Sequence, residues 1–460
     1  MGALTRPATL AGKSIRVPLQ KAFRTFCRSV VRTFYRKCEV YGASQLPKEG
    51  PLVLCANHPS ALVDAVILQA VISRPLHPMA RSGLFRNPLL RPLLAIIQAV
   101  PVYRRQDPGV DPSRNTDAFR ACHALLDRGE ALLIFPEGES HADAGLRTLR
   151  TGAARIVLEF QRRNGYAPLL VPVGLTFTDL GRFRSSVLVN IGQPLPIIPS
   201  PEEAEEEASR RLTEDLRLAL RDITLDLSSW EDLELLRRME RFFALRGGRY
   251  RKGSLSQRFR AWKKLSRTVA VLRRTEPERL ERVRWRLERF ERQCAKWGVR
   301  DYHLTLRYTP SQVIQFIVRS LLGLSVLMPL AVYGWLNAIV PYKLTTGLAP
   351  KLTRGRYQLE TAQISLGMGF FALFWGSQTA FMWQTFDGPA AALYVLSLPL
   401  GSAAALFFAR ERERIVDNLR VFFRFTGRAG LRETLAARRK ELEYELARLT
   451  QAAKRYERSG

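Results

Sequence analysis

Residues 51–64 read PLVLCANHPSALVD, and this stretch decides the fold of the N-terminal half of the chain. The uninterrupted apolar run at 51–55 predicts a strand that is buried on both faces. Pro59 suits the first position of a helix, because proline has a helical φ and lacks an amide hydrogen. The stretch therefore predicts a buried strand, a short polar loop and a helix in direct succession.

Outside this stretch, the same pattern continues over residues 38–200 and predicts an α/β domain. Apolar runs at 131–135 and 169–176 predict two further buried strands, and helical stretches at 117–128 and 152–163 lie between the strands. Such alternation of strands and helices predicts a mostly parallel sheet. The loops that follow its strands are then where a chemical site is expected.

Two of these strands end in loops with reactive side chains. The first loop carries His58 and leads to Asp64, and the second carries Glu137, Glu139 and His141. A histidine held by a carboxylate is the usual pairing for a general base. No Ser or Cys nucleophile is needed if the substrate brings its own hydroxyl. On the residues alone, a capping or core histidine is the commoner interpretation of His58.

Four ordered motifs change that interpretation, because together they resemble the motifs of the glycerolipid acyltransferases. They are NHPS at 57–60 with Asp64, PVYR at 101–104, FPEG at 135–138 and VPVG at 171–174. The family includes lysophosphatidate and glycerol-3-phosphate acyltransferases. The resemblance covers roughly residues 38–195, and four motifs in this order are highly specific.

The resemblance implies transfer of a fatty acyl group from acyl-CoA or acyl carrier protein to glycerol 3-phosphate or 1-acylglycerol 3-phosphate, with no cofactor and no metal. It implies that His58 is the general base and that Asp64 holds its ring. Seven more positions are implied to bind substrate: Asn57, Ser60, Arg104, Glu137, Gly138, Arg150 and Pro172. Guanidinium groups such as those of Arg104 and Arg150 match phosphate oxygens well, and Pro172 matches the motif linked to acyl-chain placement.

The chain departs from the commonest family pattern in two places. Five residues separate His58 from Asp64 where four are usual, and Glu139-Ser140-His141 follows the third motif. An acidic residue this close to a phosphate site is unexpected. Both features are similar to a fungal-type branch of glycerol-3-phosphate or dihydroxyacetone-phosphate acyltransferases, which also has C-terminal hydrophobic segments.

Two uncharged runs near the C-terminal end predict a transmembrane helical hairpin. Residues 361–386 and 388–409 have no charged side chain, and each run can cross about 30 Å of hydrocarbon. Lys and Arg occur in the loop 343–360 and in the tail from residue 410, but not in the turn between the runs. By the positive-inside rule the loop, the tail and the catalytic domain are predicted to be cytoplasmic.

A third apolar run, residues 320–342, completes the predicted membrane region 311–409. Its two ends are both predicted on the cytoplasmic side, so we expect a re-entrant or interface-lying hairpin bent near Pro329 or Gly334. The alternative is an ordinary third span, which would require one of the side assignments to change.

Three other regions complete the predicted organisation. Residues 1–37 have an apolar stripe opposite a basic face, which predicts an amphipathic helix on an anionic membrane; the alternative is a helix packed on the next domain. Residues 201–310 predict a helical hairpin region. Residues 410–460 predict a basic cytoplasmic helical tail.

The overall charge limits the partners. Lys and Arg number 72 against 42 Asp and Glu, so a net charge of +30 favours an anionic partner. No aromatic–basic RNA motif accompanies this charge, so we expect an anionic phospholipid membrane and acidic acyl donors, and no nucleic acid. Five dispersed cysteines exclude a disulfide scaffold.

Two other classes of function compete with the acyltransferase prediction. One is a metal-dependent hydrolase that uses His58, Asp64, Glu137 and His141, a mixture of nitrogen and oxygen ligands. The other is a non-enzymatic lipid-binding membrane protein. Within the enzyme class, an acyltransferase of lysophospholipid remodelling is the alternative.

Overall fold

The computed structural model describes most of the chain. The described residues are 11–88, 90–104, 111–198, 203–227, 229–244, 254–299, 301–304, 310–353, 355–427 and 429–459. They form two compact units, one drawn from residues 1–228 and 353–364, the other from 229–352 and 365–460. The predicted boundary at 200/201 and the first ten residues of the predicted N-terminal segment lie outside the described residues.

The first unit contains a seven-stranded sheet with the order β1-β7-β6-β2-β5-β3-β4. The strands are β1 Lys37–Tyr41, β2 Leu52–Ala56, β3 Leu76–Arg81, β4 Val100–Val102, β5 Ala131–Ile134, β6 Leu169–Phe177 and β7 Ser186–Ile191. Only the β6–β7 pair is antiparallel among the strand pairs of the described residues. The sequence-based prediction of a mostly parallel sheet is thus confirmed.

Helices cover both faces of this sheet. They are α1 Ala11–Phe34, α2 Ala61–Val71, α3 Arg91–Ile96, α4 Asn115–Asp127, α5 Gly152–Asn164 and α6 Glu205–Ile223. Successive residues of β2 face opposite sides, so Leu52 and Leu54 pack with α1 and α2, whereas Val53 and Cys55 pack with α4, α5 and α6. A strand covered on both faces needs a continuous apolar run, which explains the sequence of β2.

Helix α1 packs on the sheet unit through its apolar stripe. Cys27, Val31 and Phe34 are buried in the same core as α2, and Arg24 donates hydrogen bonds to the carbonyls of Gln69 and Ile72 near the end of α2. This is the packed-helix alternative for residues 11–34. Membrane association of this segment stays a prediction.

Helix α6 also belongs to the sheet unit, because Leu212, Leu216 and Leu220 pack in the core beside α5. The division between the two compact units lies near residue 228, so α6 falls in the same unit as the strands. The elements of the second unit are helices: α7 Trp230–Ala244, α8 Leu255–Thr275, α9 Pro277–Lys296, α10 Pro310–Leu352, most of α11 Arg356–Thr385, α12 Gly388–Gly427 and α13 Ala429–Ser459.

Helix α10 corrects one expectation about the membrane region. Residues 310–352 form one 43-residue helix that continues through Pro329 and Gly334, so the predicted hairpin is wrong. Among the described residues, two helices are long and apolar enough to cross a membrane, over 322–352 and 388–421. The run 361–386, which is predicted to span, lies in α11. This helix is not among those that are long and apolar enough to cross a membrane.

Helices α10 and α12 pack closely against each other. A Cβ added at Gly334 would overlap the backbone of Gly401, so the two helices approach each other more closely than larger side chains would allow. The hydroxyl of Tyr394 donates to Oδ1 of Asn337 at 2.8 Å. Small residues and a polar pair between apolar helices are the usual means of association in a bilayer.

Candidate active site

The two loops predicted to carry the chemistry lie at one edge of the sheet. Strands β2 and β5 are parallel neighbours, with Leu54 beside Leu133 and Cys55 beside Ile134. Their carboxyl ends therefore meet, and the loops that follow them are adjacent. We call 57–60 the first loop and 135–151 the second loop.

The first loop brings His58 and Asp64 together as predicted. Nδ1 of His58 lies 2.9 Å from Oδ2 of Asp64, and in the Nδ1–H tautomer the ring donates this hydrogen bond. Asp64 is fully buried, whereas the side chain of His58 retains 18% exposure. The pairing leaves Nε2 of His58 as the nitrogen that can take up a proton from another molecule.

The extra residue between His58 and Asp64 is accommodated at the start of α2. The helix begins at Ala61 with Ser60 as its N-cap, so the expectation that Pro59 occupies the first helical position is wrong. Ala61 has a φ of +43°, a conformation that L-residues other than glycine rarely adopt. With this backbone conformation at Ala61, the His58–Asp64 hydrogen bond is made across five intervening residues.

The surroundings of Asp64 affect its charge. Burial raises the pKa of Asp64, while its hydrogen bond with His58 and the backbone N–H of Ser60, 2.7 Å from Oδ2, act in the opposite direction. A buried carboxylate is stabilised most by a positive partner. The ring of His58 is the side chain that contacts this buried carboxylate.

The second loop fixes the backbone of the first. Oε1 of Glu137 accepts a hydrogen bond from the His58 backbone N–H at 2.8 Å, and Oε2 accepts from the Arg147 N–H at 3.0 Å and from the ring of His141. The ring of Phe135 stacks on that of His58 with centroids 4.0 Å apart. The Glu137 carboxylate is buried, and both of its oxygens accept hydrogen bonds from the protein. In this structure it therefore stabilises the two loops.

Arginines gather beside Gly138. Nη1 of Arg104 donates to the Gly138 carbonyl at 2.9 Å, and a Cβ at Gly138 would lie 2.4 Å from Nε of Arg150. Gly138 has a φ of +77°, so glycine is required there both by conformation and by the approach of Arg150. The predicted phosphate-binding residues Arg104, Gly138 and Arg150 thus lie together.

The acidic insertion after the third motif is paired with a base. Nη1 of Arg147 lies 2.6 Å from Oε1 of Glu139, and Nε of Arg147 lies 2.5 Å from Oδ2 of Asp143. Glu139 is therefore held by Arg147. The negative charge of Glu139 thus has a positive partner within the second loop.

Three remaining predicted residues have structural contacts. The Asn57 side chain exchanges hydrogen bonds with both backbone groups of Leu175 in β6. Ser60 is fully buried. Pro172 lies within β6, in register with Cys55, and its carbonyl accepts a hydrogen bond from the Gly192 N–H. These contacts anchor the site, and a substrate role for the three residues stays a prediction.

Sequence reasoning missed Glu360, which lies in the first turns of α11 and is fully buried in the sheet unit. Its carboxylate accepts hydrogen bonds from the hydroxyls of Tyr35 and Ser60 and from the N–H of Gly181. One sequence signal was present. Glu360 is the only acidic residue between positions 301 and 387, next to an uncharged run.

The structure also bears on the metal-dependent alternative. Among the residues that the structure describes, no group of three or more His, Cys, Asp and Glu side chains is placed to hold a metal ion. His58, Asp64, Glu137 and His141 are all described, and they interact as two hydrogen-bonded His–carboxylate pairs.

Comparisons with known proteins agree with the motifs. Residues 37–176 match the family model described as Acyltransferase. The chain is similar to the 1-acyl-sn-glycerol-3-phosphate acyltransferase of Bacillus subtilis, at 28% identity over 40% of this chain and 87% of the relative. It is similar to the Glycerol-3-phosphate O-acyltransferase 1 of Saccharomyces cerevisiae at 26% identity, over 26% of this chain but only 16% of that protein.

One solved structure is similar over part of the chain. It is the crystal structure of the 1-acyl-sn-glycerophosphate acyltransferase PlsC from Thermotoga maritima, with a TM-score of 0.35 and 19% identity. The similarity covers 47% of this chain and 84% of that one.

Proposed function

We propose that the protein transfers a fatty acyl group from an acyl thioester to glycerol 3-phosphate or 1-acylglycerol 3-phosphate, on the premise that residues 37–176 match the Acyltransferase family model. The observation that carries the proposal is the His58–Asp64 pair at the carboxyl end of β2, inside the matched segment. Acyl-CoA or acyl carrier protein would be the donor, and no cofactor is required.

In the proposed reaction His58 acts as the general base. Its Nε2 takes the proton of the acceptor hydroxyl while that oxygen attacks the thioester carbonyl, and Asp64 stabilises the imidazolium that forms. The tetrahedral intermediate collapses, the C–S bond breaks, and the thiolate leaves with the proton returned by Nε2. An ester and a free thiol result, and no acyl-enzyme forms.

The arginines beside the pair suit the phosphate that both proposed acceptors share. Arg104 and Arg150 lie at Gly138, directly after the carboxylate that holds the His58 backbone. Guanidinium groups pair with phosphate oxygens through two parallel hydrogen bonds. A phosphate held there would bring the acceptor hydroxyl towards the first loop.

We further propose that the protein is membrane-anchored with its catalytic domain on the cytoplasmic face. Helices α10 and α12 are long and apolar enough to span, and they leave large hydrophobic side chains such as Val326 and Leu396 exposed. Residues 355–364 belong to the sheet unit, which supports a loop on the same side of the bilayer as the catalytic domain. The net charge of +30 suits an anionic membrane.

The proposal is tested by acyl transfer in purified membranes that overexpress the chain. Labelled acyl-CoA and acyl carrier protein are each offered with glycerol 3-phosphate and with 1-acylglycerol 3-phosphate, and His58→Ala membranes serve as the blank. Product from glycerol 3-phosphate alone would assign the first acylation, and product from the lyso acceptor alone would assign the second. A chelator is expected to leave either rate unchanged.

Other outcomes distinguish the competing functions. Product only with lysophospholipids that carry a headgroup would favour acyl remodelling. Silence with every donor and acceptor, in membranes that contain folded protein, would contradict the enzyme proposal and favour a lipid-binding role. Activity abolished by the chelator and restored by a divalent ion would favour the metal-dependent class.

A further inference from the structure

Glu360 joins three separate elements of the sheet unit. Its Oε2 accepts from the Tyr35 hydroxyl at 2.8 Å, after the end of α1, and from the Ser60 hydroxyl in the first loop. Its Oε1 accepts from the N–H of Gly181 at 3.0 Å, in the loop between β6 and β7. A fully buried carboxylate with three donors from distant parts of the chain is a costly feature unless those bonds are made.

Ser60 connects this carboxylate to the catalytic pair. Its hydroxyl donates to Glu360, and its backbone N–H donates to Oδ2 of Asp64, the same oxygen that bonds His58 Nδ1. A shift of Ser60 would therefore move the oxygen that orients the His58 ring. The chain of contacts runs from Glu360 through Ser60 and Asp64 to His58.

We propose that Glu360 is a positioning residue for the reaction: through Ser60 it fixes Asp64 and hence the ring of His58, so the start of α11 controls turnover. The inference rests on the proposed function, because it assumes that His58 is the general base. Glu360 does not touch the reacting atoms. Its loss should lower the rate of the chemical step and leave substrate affinity nearly unchanged.

The first test compares steady-state kinetics of Glu360→Gln, Ser60→Ala and the double variant. Glutamine keeps the size of the side chain but turns one oxygen into a donor, so it cannot accept all three hydrogen bonds. We expect each single variant to lower kcat by about tenfold, the size of effect that follows from losing one buried hydrogen bond, with KM within twofold. The double variant should be no worse than the poorer single one, because both act through one contact.

Glu214→Gln is the matched control. Glu214 lies in α6 of the same unit and makes an exposed ion pair with Arg217. The kcat of the Glu214→Gln variant should therefore equal that of the wild type. Losses in the two single variants that multiply in the double variant would overturn the inference. A change in KM with unchanged kcat would do the same.

A second measurement does not depend on acyl transfer. The other four histidines of the chain, His77, His123, His141 and His303, are buried, so diethyl pyrocarbonate should react first with His58. The His58-specific rate is the difference between each protein and its His58→Ala version.

We expect this rate to change at least threefold in Glu360→Gln and Ser60→Ala, and to stay constant in Glu214→Gln. If Glu360→Gln fails to fold, Ser60→Ala decides. An active wild type with unchanged His58 reactivity in these variants would overturn the inference and leave the proposed function standing. An inactive wild type would overturn the proposed function, and altered reactivity would then show only that Glu360 and Ser60 position the ring of His58.

Discussion

The first and second loops of the site hold His58 in different ways. The first loop is four residues long and leads into α2, where Asp64 contacts the ring of His58. The second loop is longer and carries Glu137, which accepts a hydrogen bond from the His58 backbone N–H. One carboxylate therefore contacts the ring of His58, and the other contacts the backbone that carries this ring. Under the proposed function, these two buried acids have separate roles, Asp64 in proton transfer and Glu137 in the architecture of the loop.

The largest expected effect follows from removal of the ring itself. His58→Ala should lower acyl transfer by about 10²- to 10⁴-fold, the usual contribution of a positioned general base, without loss of folded protein. The measurement is the acyl-transfer rate in membranes with equal amounts of each protein. Undiminished activity would contradict the assignment of His58 as the general base. The proposed difference between the roles of Asp64 and Glu137 would then fall as well.

Asp64→Asn tests the contact between Asp64 and the ring of His58. Asparagine keeps the shape but removes the negative charge that stabilises the imidazolium, so the loss of kcat should be about 10- to 100-fold, smaller than for His58→Ala. Rates of both variants in the same membranes give the ratio. Equal losses would instead mean that the two residues act as one unit.

Glu137→Gln probes the second loop. The amide places a donor among the N–H groups of His58, Arg147 and His141, so unfolding should become easier by about 1–3 kcal/mol. The kcat of the folded fraction should fall less than in Asp64→Asn. Thermal unfolding in detergent and kinetics measure the two effects. Glu139→Gln, which changes a more exposed acid of the same loop, is the control.

A variant of Glu137 that stays as stable as the wild type and yet loses as much kcat as Asp64→Asn would contradict this division of roles. It would indicate that Glu137 acts on the substrate, as the resemblance to the family implied. A loss of stability alone would place Glu137 wholly in the architecture of the loop.

Much of this site could be predicted because it depends on local sequence. Strands β2, β5 and β6 follow from apolar runs, and the loops of His58 and Glu137 follow from the parallel order of those strands. Glu360 could not be placed, because 300 positions separate it from Ser60 and no periodicity links them. Pro329 favours a break in the apolar run 320–342, yet α10 continues through it.

The amphipathic stripe of α1 shows a second limit of sequence reasoning. Phe23, Cys27 and Val31 form an apolar face that would suit a bilayer or a protein core equally well, since both exclude water. The choice depends on whether another apolar surface is available nearby. In the structure α2 and the sheet supply it, and Cys27 and Val31 are buried.

The smallest expected effect concerns the reversal that fits five residues between His58 and Asp64. Ala61 adopts a φ of +43°, which costs an L-residue about 1–2 kcal/mol, whereas glycine adopts it without strain but loses more chain entropy on folding. Ala61→Gly should therefore raise the free energy of unfolding by up to about 1 kcal/mol and leave kcat unchanged.

Ala65→Gly, one turn further along α2, should lower the free energy of unfolding by about 1 kcal/mol, because glycine is unfavourable inside a helix. Thermal unfolding of both variants in the same detergent gives the difference. If Ala61→Gly destabilised the protein as much as Ala65→Gly, the first loop would hold His58 and Asp64 together without backbone strain, and the extra residue would have to be accommodated elsewhere in 57–60.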